Sequence, residues 1–422
     1  MLNLKTLNIM IMASLLFVLP LITACSDSDE DNEPPAAVLT EEQATEPVKI
    51  KIGTIIDLTG PGAQAMSKTK MALDDMVEHY NEQGLIPGIE LEVIYYDDQY
   101  DPSNDIPGYE WLKEKGSDLI VCIVPASAQI LRPFAEEDGM MLFDALPIDE
   151  TLEPPGYVFS MGAPTIEHGC YTLLKWIAEN DPDFPQDRPA RIGGASWNEG
   201  QSASLFAAAE EYCEAHPEQY EWVGGHLKQF TFIWDHEVEE LKDCDYVIPA
   251  TLFHSFAEAY RNAGHTAKFI GNDLHTGFLG LLDDADLWNE VDKTLILTSF
   301  CWWNDECETV NLAKKVLYEN HSDEEAAEII RSGAGYLAAV SANVILGLVA
   351  DAVTAVGADN FNSQALYDAA QSFSMTLDGV DLFSFSKTKR TALNYMSMYE
   401  IRGSEKGLFR ADPEWIPVVH EP

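Results

Sequence analysis

The chain is short of positive charge. Its 422 residues carry 25 Lys and Arg against 71 Asp and Glu, a formal net charge of -46 at pH 7. Nucleic acid and anionic lipid headgroups are bound mainly through Lys and Arg, so neither is an expected partner. CxxC pairs are also missing, which takes away support for a zinc ribbon or a thiol-redox site. There is no GxSxG elbow, Walker loop or HExxH helix, so no enzyme, cofactor or metal is expected. His254, His265 and His275 fall on separate elements and form no local metal motif. Beyond the N-terminal segment no stretch is apolar enough to be expected to span a bilayer. The most apolar, Tyr336 to Val356, carries Ser341, Asn343 and Asp351 and reads as a buried helix.

What the chain does have begins at its start. An apolar run from Leu7 to Ile22 ends in Ile22-Thr23-Ala24-Cys25. It resembles a bacterial lipoprotein signal, which is removed ahead of a cysteine that takes the lipid. Residues 1–24 are therefore set aside from the fold, with Cys25 the expected lipidation site and an extracytoplasmic, membrane-anchored location expected. Ser26 to Val48 contain eight acids, no base and three prolines, a composition that cannot bury a core, so 25–48 is read as a disordered tether. An oxidising compartment permits disulfides, and Cys301 with Cys307 is a candidate pair closing a small loop. Cys122, in an apolar strand, reads as a buried thiol.

From Lys49 onward the pattern is strand, then helix, repeated. Ile50–Ile56, Leu91–Tyr96, Leu119–Val124 and Met140–Phe143 read as strands; Ala63–Gln83 and a stretch near Tyr109–Lys115 read as helices. After Gly156 the rhythm restarts. Strands are expected at Arg191–Ala195, Tyr220–Val223, Tyr246–Pro249, Lys268–Gly271 and Thr294–Ser299. Helices are expected at Ile166–Glu179, Gln201–Ala215, Val238–Lys242, Phe253–Ala263, Thr309–Glu319 and Gly335–Val356. Alternation of this kind predicts an α/β protein with parallel sheets covered by helices on both faces, and two such runs predict two lobes. Ligands in such sheets bind beyond the carboxyl ends of the strands.

Several stretches carry a family likeness. Lys51-Ile52-Gly53-Thr54-Ile55-Ile56-Asp57-Leu58-Thr59-Gly60-Pro61 resembles the opening of the leucine/isoleucine/valine-binding type of periplasmic binding proteins. Asn81 to Gly88 and the strand ending in Asp97-Asp98, with Asp101-Pro102 behind it, continue the likeness. Weaker matches run through Trp197-Asn198-Glu199-Gly200, Phe269 to Asp273 and Tyr336 to Gly357. The resemblance implies a two-lobed type I periplasmic binding protein fold with three hinge crossovers. Each lobe would be a mostly parallel sheet with helices on both faces. Lobe one would take 49–163 and 297–378; lobe two would take 164–296 and 379–422. It implies a monomer that closes on a small solute, most naturally an amino acid or an analogue, and delivers it to a membrane ABC permease. A sensory protein reporting to a membrane receptor is the other expectation.

The same resemblance names site residues. Ala126 and Ser127 match the turn that binds an amino acid's carboxylate, where free N–H groups at a helix start favour an anion. Read from its position alone, Ser127 is equally an N-cap serine. Asp273 falls near an acid that takes the ligand's ammonium in amino-acid-binding relatives. Trp197 aligns with an aromatic lid position. Thr251, Leu252 and Phe253 end another strand and are weaker candidates. Trp302 and Trp303 are expected to pack the hinge. One departure matters: the small, hydroxyl-rich loop that normally follows the fourth strand is here Asp144-Ala145-Leu146-Pro147-Ile148-Asp149-Glu150-Thr151. It removes carboxylate donors, adds acids and leaves open a cationic or amide-bearing ligand.

Overall fold

The computed structural model describes residues 46–124 and 126–422. The signal segment, Cys25 and nearly all of the tether lie outside the described residues. The first strand, β1 (Val48–Ile56), shows how the fold is encoded. Ile50, Ile52 and Ile56 point to one core and Ile55 to another, the period of two expected of a strand covered on both faces.

Sheet one is built from β1, β2 (Ile89–Asp97), β3 (Leu119–Cys122), β4 (Leu142–Asp144) and β5 (Val158–Ser160). Its order is β2-β1-β3-β4-β5 and every pairing is parallel. The helix Ala63–Gln83 buries Ala72, Leu73, Met76, Val77 and Tyr80 and stops at Gly84, which takes the left-handed conformation with φ 58°. Helices Glu308–Asn320 and Ala338–Val356, far away in sequence, pack on that helix. The opposite face is covered by Asp105–Glu114 and Ser127–Asp138, whose Tyr109, Leu112, Ala128 and Leu131 close a second core around Ile120 and Cys122.

Sheet two holds β6 (Ala190–Trp197), β7 (Tyr220–Lys228), β8 (Tyr246–Ile248), β9 (Lys268–Gly271) and β10 (Leu295–Thr298) as parallel neighbours in the order β7-β6-β8-β9-β10. A hairpin of β11 (Ser374–Leu377) and β12 (Val380–Ser384) stands apart. Then β13 (Tyr395–Arg402) adds to β10 antiparallel, with β14 (Gly407–Arg410) and β15 (Ile416–Pro417) beside it. Sheet two is thus mixed at this edge. Its C-terminal strands were not assigned from sequence, although Gly403-Ser404 and Asp412-Pro413 mark the turns between them.

Boundaries moved where tertiary packing outweighs local signals. The strand expected at Tyr220–Val223 runs on to Lys228, because β6 pairs with it along its whole length. The strand expected at Met140–Phe143 is shifted to Leu142–Asp144, which puts a carboxylate at its end. Segment 335–356 has mean hydropathy 1.8 and would be long enough to cross a membrane. It is a core element instead: a 3-10 turn at Gly335–Leu337 leads into the helix, and Val344, Ile345, Leu348, Val349 and Ala352 are buried.

Candidate functional site

The carboxyl ends of β1 to β4 form an acidic edge. Asp57 opens the turn after β1, and its two oxygens accept the Gly60 and Gly62 N–H groups. Gly60 is obligatory there, since a Cβ would sit 2.5 Å from the Gln99 carbonyl oxygen. At the end of β2, Asp97 accepts from Leu58 N at 2.9 Å and from the Thr59 hydroxyl at 2.7 Å. Burial alone would raise its carboxyl, but these bonds hold it below the usual range. Asp98 is pushed up to about 6 by burial first, then by the charges of Asp105, Asp57 and Asp97. Oxygens of Asp57, Asp97 and Asp98 lie within 4.8 Å of one another, close enough to share a cation, although each residue also orders its own loop through backbone N–H groups.

Ser127 is the first residue of its helix and Ala126 stands at the cap position without a side-chain bond. Ser127 therefore does not cap. It is fully buried, and its hydroxyl donates to Asp105 Oδ1 at 2.8 Å. Asp144, at the end of β4, is also fully buried; Oδ1 accepts from Leu146 N at 3.1 Å and Oδ2 has no partner. Burial pushes its carboxyl up to about 8.

Sheet two offers a different edge. Trp197 closes β6 and is almost buried; its Nε1 donates to the Thr231 carbonyl at 2.9 Å. Phe230, Phe232 and Trp234 surround it, with ring centroids 4.7, 5.7 and 5.9 Å away. Phe230 is 64% exposed and Phe232 46%. Thr251, half-buried, follows β8, and Phe253 stacks edge-on to His275. Asp273 follows β9. It is half-buried, accepts the Ser299 N–H at 2.9 Å and also takes the Ser299 hydroxyl, which links the ends of β9 and β10. Its desolvated position pushes its carboxyl up to about 6.

Strand order thus brings Trp197, Thr251 and Asp273 to one edge, while Ala126 and Ser127 belong to the other. The two edges face each other. Tyr100, in the loop after β2, is pushed up to about 12 by its surroundings first and then by Glu199, Asp57 and Asp98. Glu199 stands just after β6, so its charge acts on the phenol from the opposite sheet. Tyr100, Glu199 and Asp105 were not named as site residues from sequence. The Asp-rich strand ends were a visible signal for Asp98 and Asp144; nothing local points to Asp105.

Strands ending at two opposed edges, with helices returning from one sheet to cover the other, decide the architecture. This is the type I periplasmic binding protein fold. Residues 49–217 match the periplasmic binding protein family. A Thermus thermophilus branched-chain amino acid ABC transporter protein with bound valine superimposes with a TM-score of 0.75 at 15% identity, over 88% of this chain and 97% of its own. A solute-binding protein from R. palustris in complex with 4-hydroxybenzoate gives 0.69 at 16% identity, over 88% and 97%. A fatty acid ABC transporter substrate-binding protein from Thermomonospora curvata gives 0.69 at 17%, over 88% and 95%. No curated protein sequence matches the chain.

The remaining expected residues have structural positions. Cys301 and Cys307 are disulfide-bonded, with Cα atoms 6.7 Å apart. Trp302 and Trp303 are buried, and Trp303 Nε1 donates to the Gly333 carbonyl at 3.0 Å. His275 is buried and bonded to Pro249 O and Asn272.

Proposed function

We propose that the protein is an extracytoplasmic solute-binding lipoprotein that captures a small molecule between two closing lobes and hands it to an ABC permease. The lobes are 49–163 with 297–378, and 164–296 with 379–422. Cys25 carries the lipid anchor. The solute bears an ammonium group, as an amino acid or amino-acid-like compound does, and Asp273 is its partner on lobe two. Trp197 and Thr251 contribute the wall beside it; Ala126 and Ser127 lie on the lobe-one side.

The observation that carries this reading is the pair of facing edges: Gln64, Ala65 and Lys68, beyond β1, line one cavity with Gly277, Phe278 and Leu281, beyond β9. Solutes as different as valine, 4-hydroxybenzoate and fatty acids are named for proteins of this fold, so the fold supports capture rather than one ligand. A thermal-shift screen of the full chain at fixed salt tests it, with amino acids, amides, polyamines, fatty acids and aromatic acids as the panel. A ligand at a thousandfold its Kd adds roughly 4 kcal/mol. The expected result is a hit that Asp273→Ala loses. A well-folded chain that no panel member shifts would count against solute capture.

A further inference from the structure

Resting on the two-lobe reading and going beyond it, we infer that Arg331 is an ionic clasp between the lobes, one that salt loosens. Arg331 lies in the last turn of the helix Asp323–Ser332, which packs on Glu308–Asn320 and so belongs to the layer over sheet one. Its Nε and Nη2 donate to the two oxygens of Glu328 on the same helix, at 2.9 and 2.8 Å, which fixes the guanidinium plane. Its Nη1 reaches across to sheet two, where it donates to Asp283 Oδ2 at 3.3 Å and Asp284 Oδ1 at 3.0 Å. Those two acids end the short helix Gly280–Asp284, between β9 and β10. Asp283 is held for the contact: Trp288 Nε1 donates to its Oδ1 at 3.1 Å, and Lys406 stands 3.8 Å from the same oxygen.

Placement makes this contact more than a surface pair. Among the described residues the other ion pairs between the two lobes are Arg410–Asp305 and His168–Asp149, and both sit beside crossovers. Arg331 instead lines the cavity that Gln64 and Lys68 share with Phe278 and Leu281. Its carboxylate partners also end the segment that begins at Asp273, so solute and clasp act on one piece of chain. The backbone joins the same seam, for Ala334 N donates to the Thr276 carbonyl at 3.0 Å. The Arg331 side chain is 39% exposed and that of Asp284 61%, so each pair is weak alone and open to screening. The Debye length falls from about 30 Å at 0.01 M salt to about 3 Å at 1 M. The clasp thus biases the resting arrangement of the lobes without locking it.

The test needs no solute. Nitroxide labels on Leu85→Cys and Glu218→Cys, both exposed and on different lobes, report the interlobe distance distribution by pulsed electron double resonance. The full chain carries Cys25→Ser for this purpose, and the thiols of Cys122, Cys170, Cys213 and Cys244 are buried. At about 10 mM salt, Arg331→Glu is expected to broaden the distribution, because it sets a like charge against Glu328, Asp283 and Asp284. Adding Asp284→Arg to that variant should narrow it again, and about 1 M salt should broaden the parent. Equal widths for parent and Arg331→Glu at low salt overturn the clasp. So does a broadening that the swapped pair fails to narrow, since its cause would then be the helix rather than the charge. Neither result bears on solute capture, which the thermal-shift panel decides separately.

Discussion

Ser127 Oγ and Asp105 Oδ1 are 2.8 Å apart, both buried, and this bond turns the helix-start hydroxyl inward. Ser127→Ala removes one of the donors to a buried carboxyl and should cost about 1–3 kcal/mol in urea unfolding. Asp105→Asn should cost less or even stabilise at pH 7, because burial raises the Asp105 carboxyl and so disfavours its charged form in the fold. If Asp105→Asn proves the worse of the two, Asp105 is not the strained partner described here.

Asp144 sets a pH dependence with a definite sign. Its carboxyl is raised from 3.8 to about 8, so the folded state holds a proton that the unfolded chain releases above pH 4. Stability therefore falls as pH rises through the window from about 4 to 8, by about 1.4 kcal/mol per unit for this one group. Asp144→Asn removes that slope. Urea denaturation of both proteins at pH 5, 6 and 7 should show the variant's relative stability rising with pH. Parallel curves would mean that Asp144 titrates normally.

Most of the architecture was legible because it rests on periodicity. The alternation in β1 and the apolar face of Ala63–Gln83 are local signals, and strand ends followed by turn residues placed both edges. The mixed end of sheet two was not legible. Strands β13 and β14 gain their place by pairing with β10, a contact about a hundred residues back in the chain, and no local pattern records it. Side-chain direction was equally hidden. Ser127 had the sequence of a cap or an anion turn, and only the packing of Asp105 beneath it decides where the hydroxyl points.

Gly333 is a position where only glycine fits. Its φ of 128° and ψ of -144° belong to a region closed to other residues, and a Cβ there would lie 2.3 Å from the Thr276 carbonyl oxygen. That oxygen accepts from Ala334 N at 3.0 Å, while the Gly333 carbonyl takes Trp303 Nε1. Gly333→Ala thus strains the link between the segment after β9 and the helices around Trp303. A loss above about 2 kcal/mol is expected by thermal unfolding; a variant as stable as the parent would show that this junction yields.

The Cys301–Cys307 bond closes a loop only six residues apart in sequence. On chain-entropy grounds such a short loop is worth about 2 kcal/mol. Unfolding with and without a reducing agent should differ by about that amount, and Cys301→Ser with Cys307→Ser should abolish the difference. An unchanged difference in the double variant would assign the reductant's effect to some other group.

Trp197 serves the lip of sheet two in two separable ways. Its ring fills the space among Phe230, Phe232 and Trp234, and its Nε1 fixes the Thr231 carbonyl, while Lys228 Nζ holds the Ile233 carbonyl at the far end of the exposed segment. Trp197→Phe keeps most of the ring and loses the donor, which should cost about 0.5–1.5 kcal/mol. Trp197→Ala also loses the packing and should cost about 3–5 kcal/mol. Proteolysis at 230–233 distinguishes the roles. If the hydrogen bond alone orders the segment, both variants are cut equally fast and faster than the parent. If ring packing orders it, the Phe variant resists cleavage like the parent and only the Ala variant opens. The buried ring, flanked on three sides by aromatic neighbours, favours the second outcome.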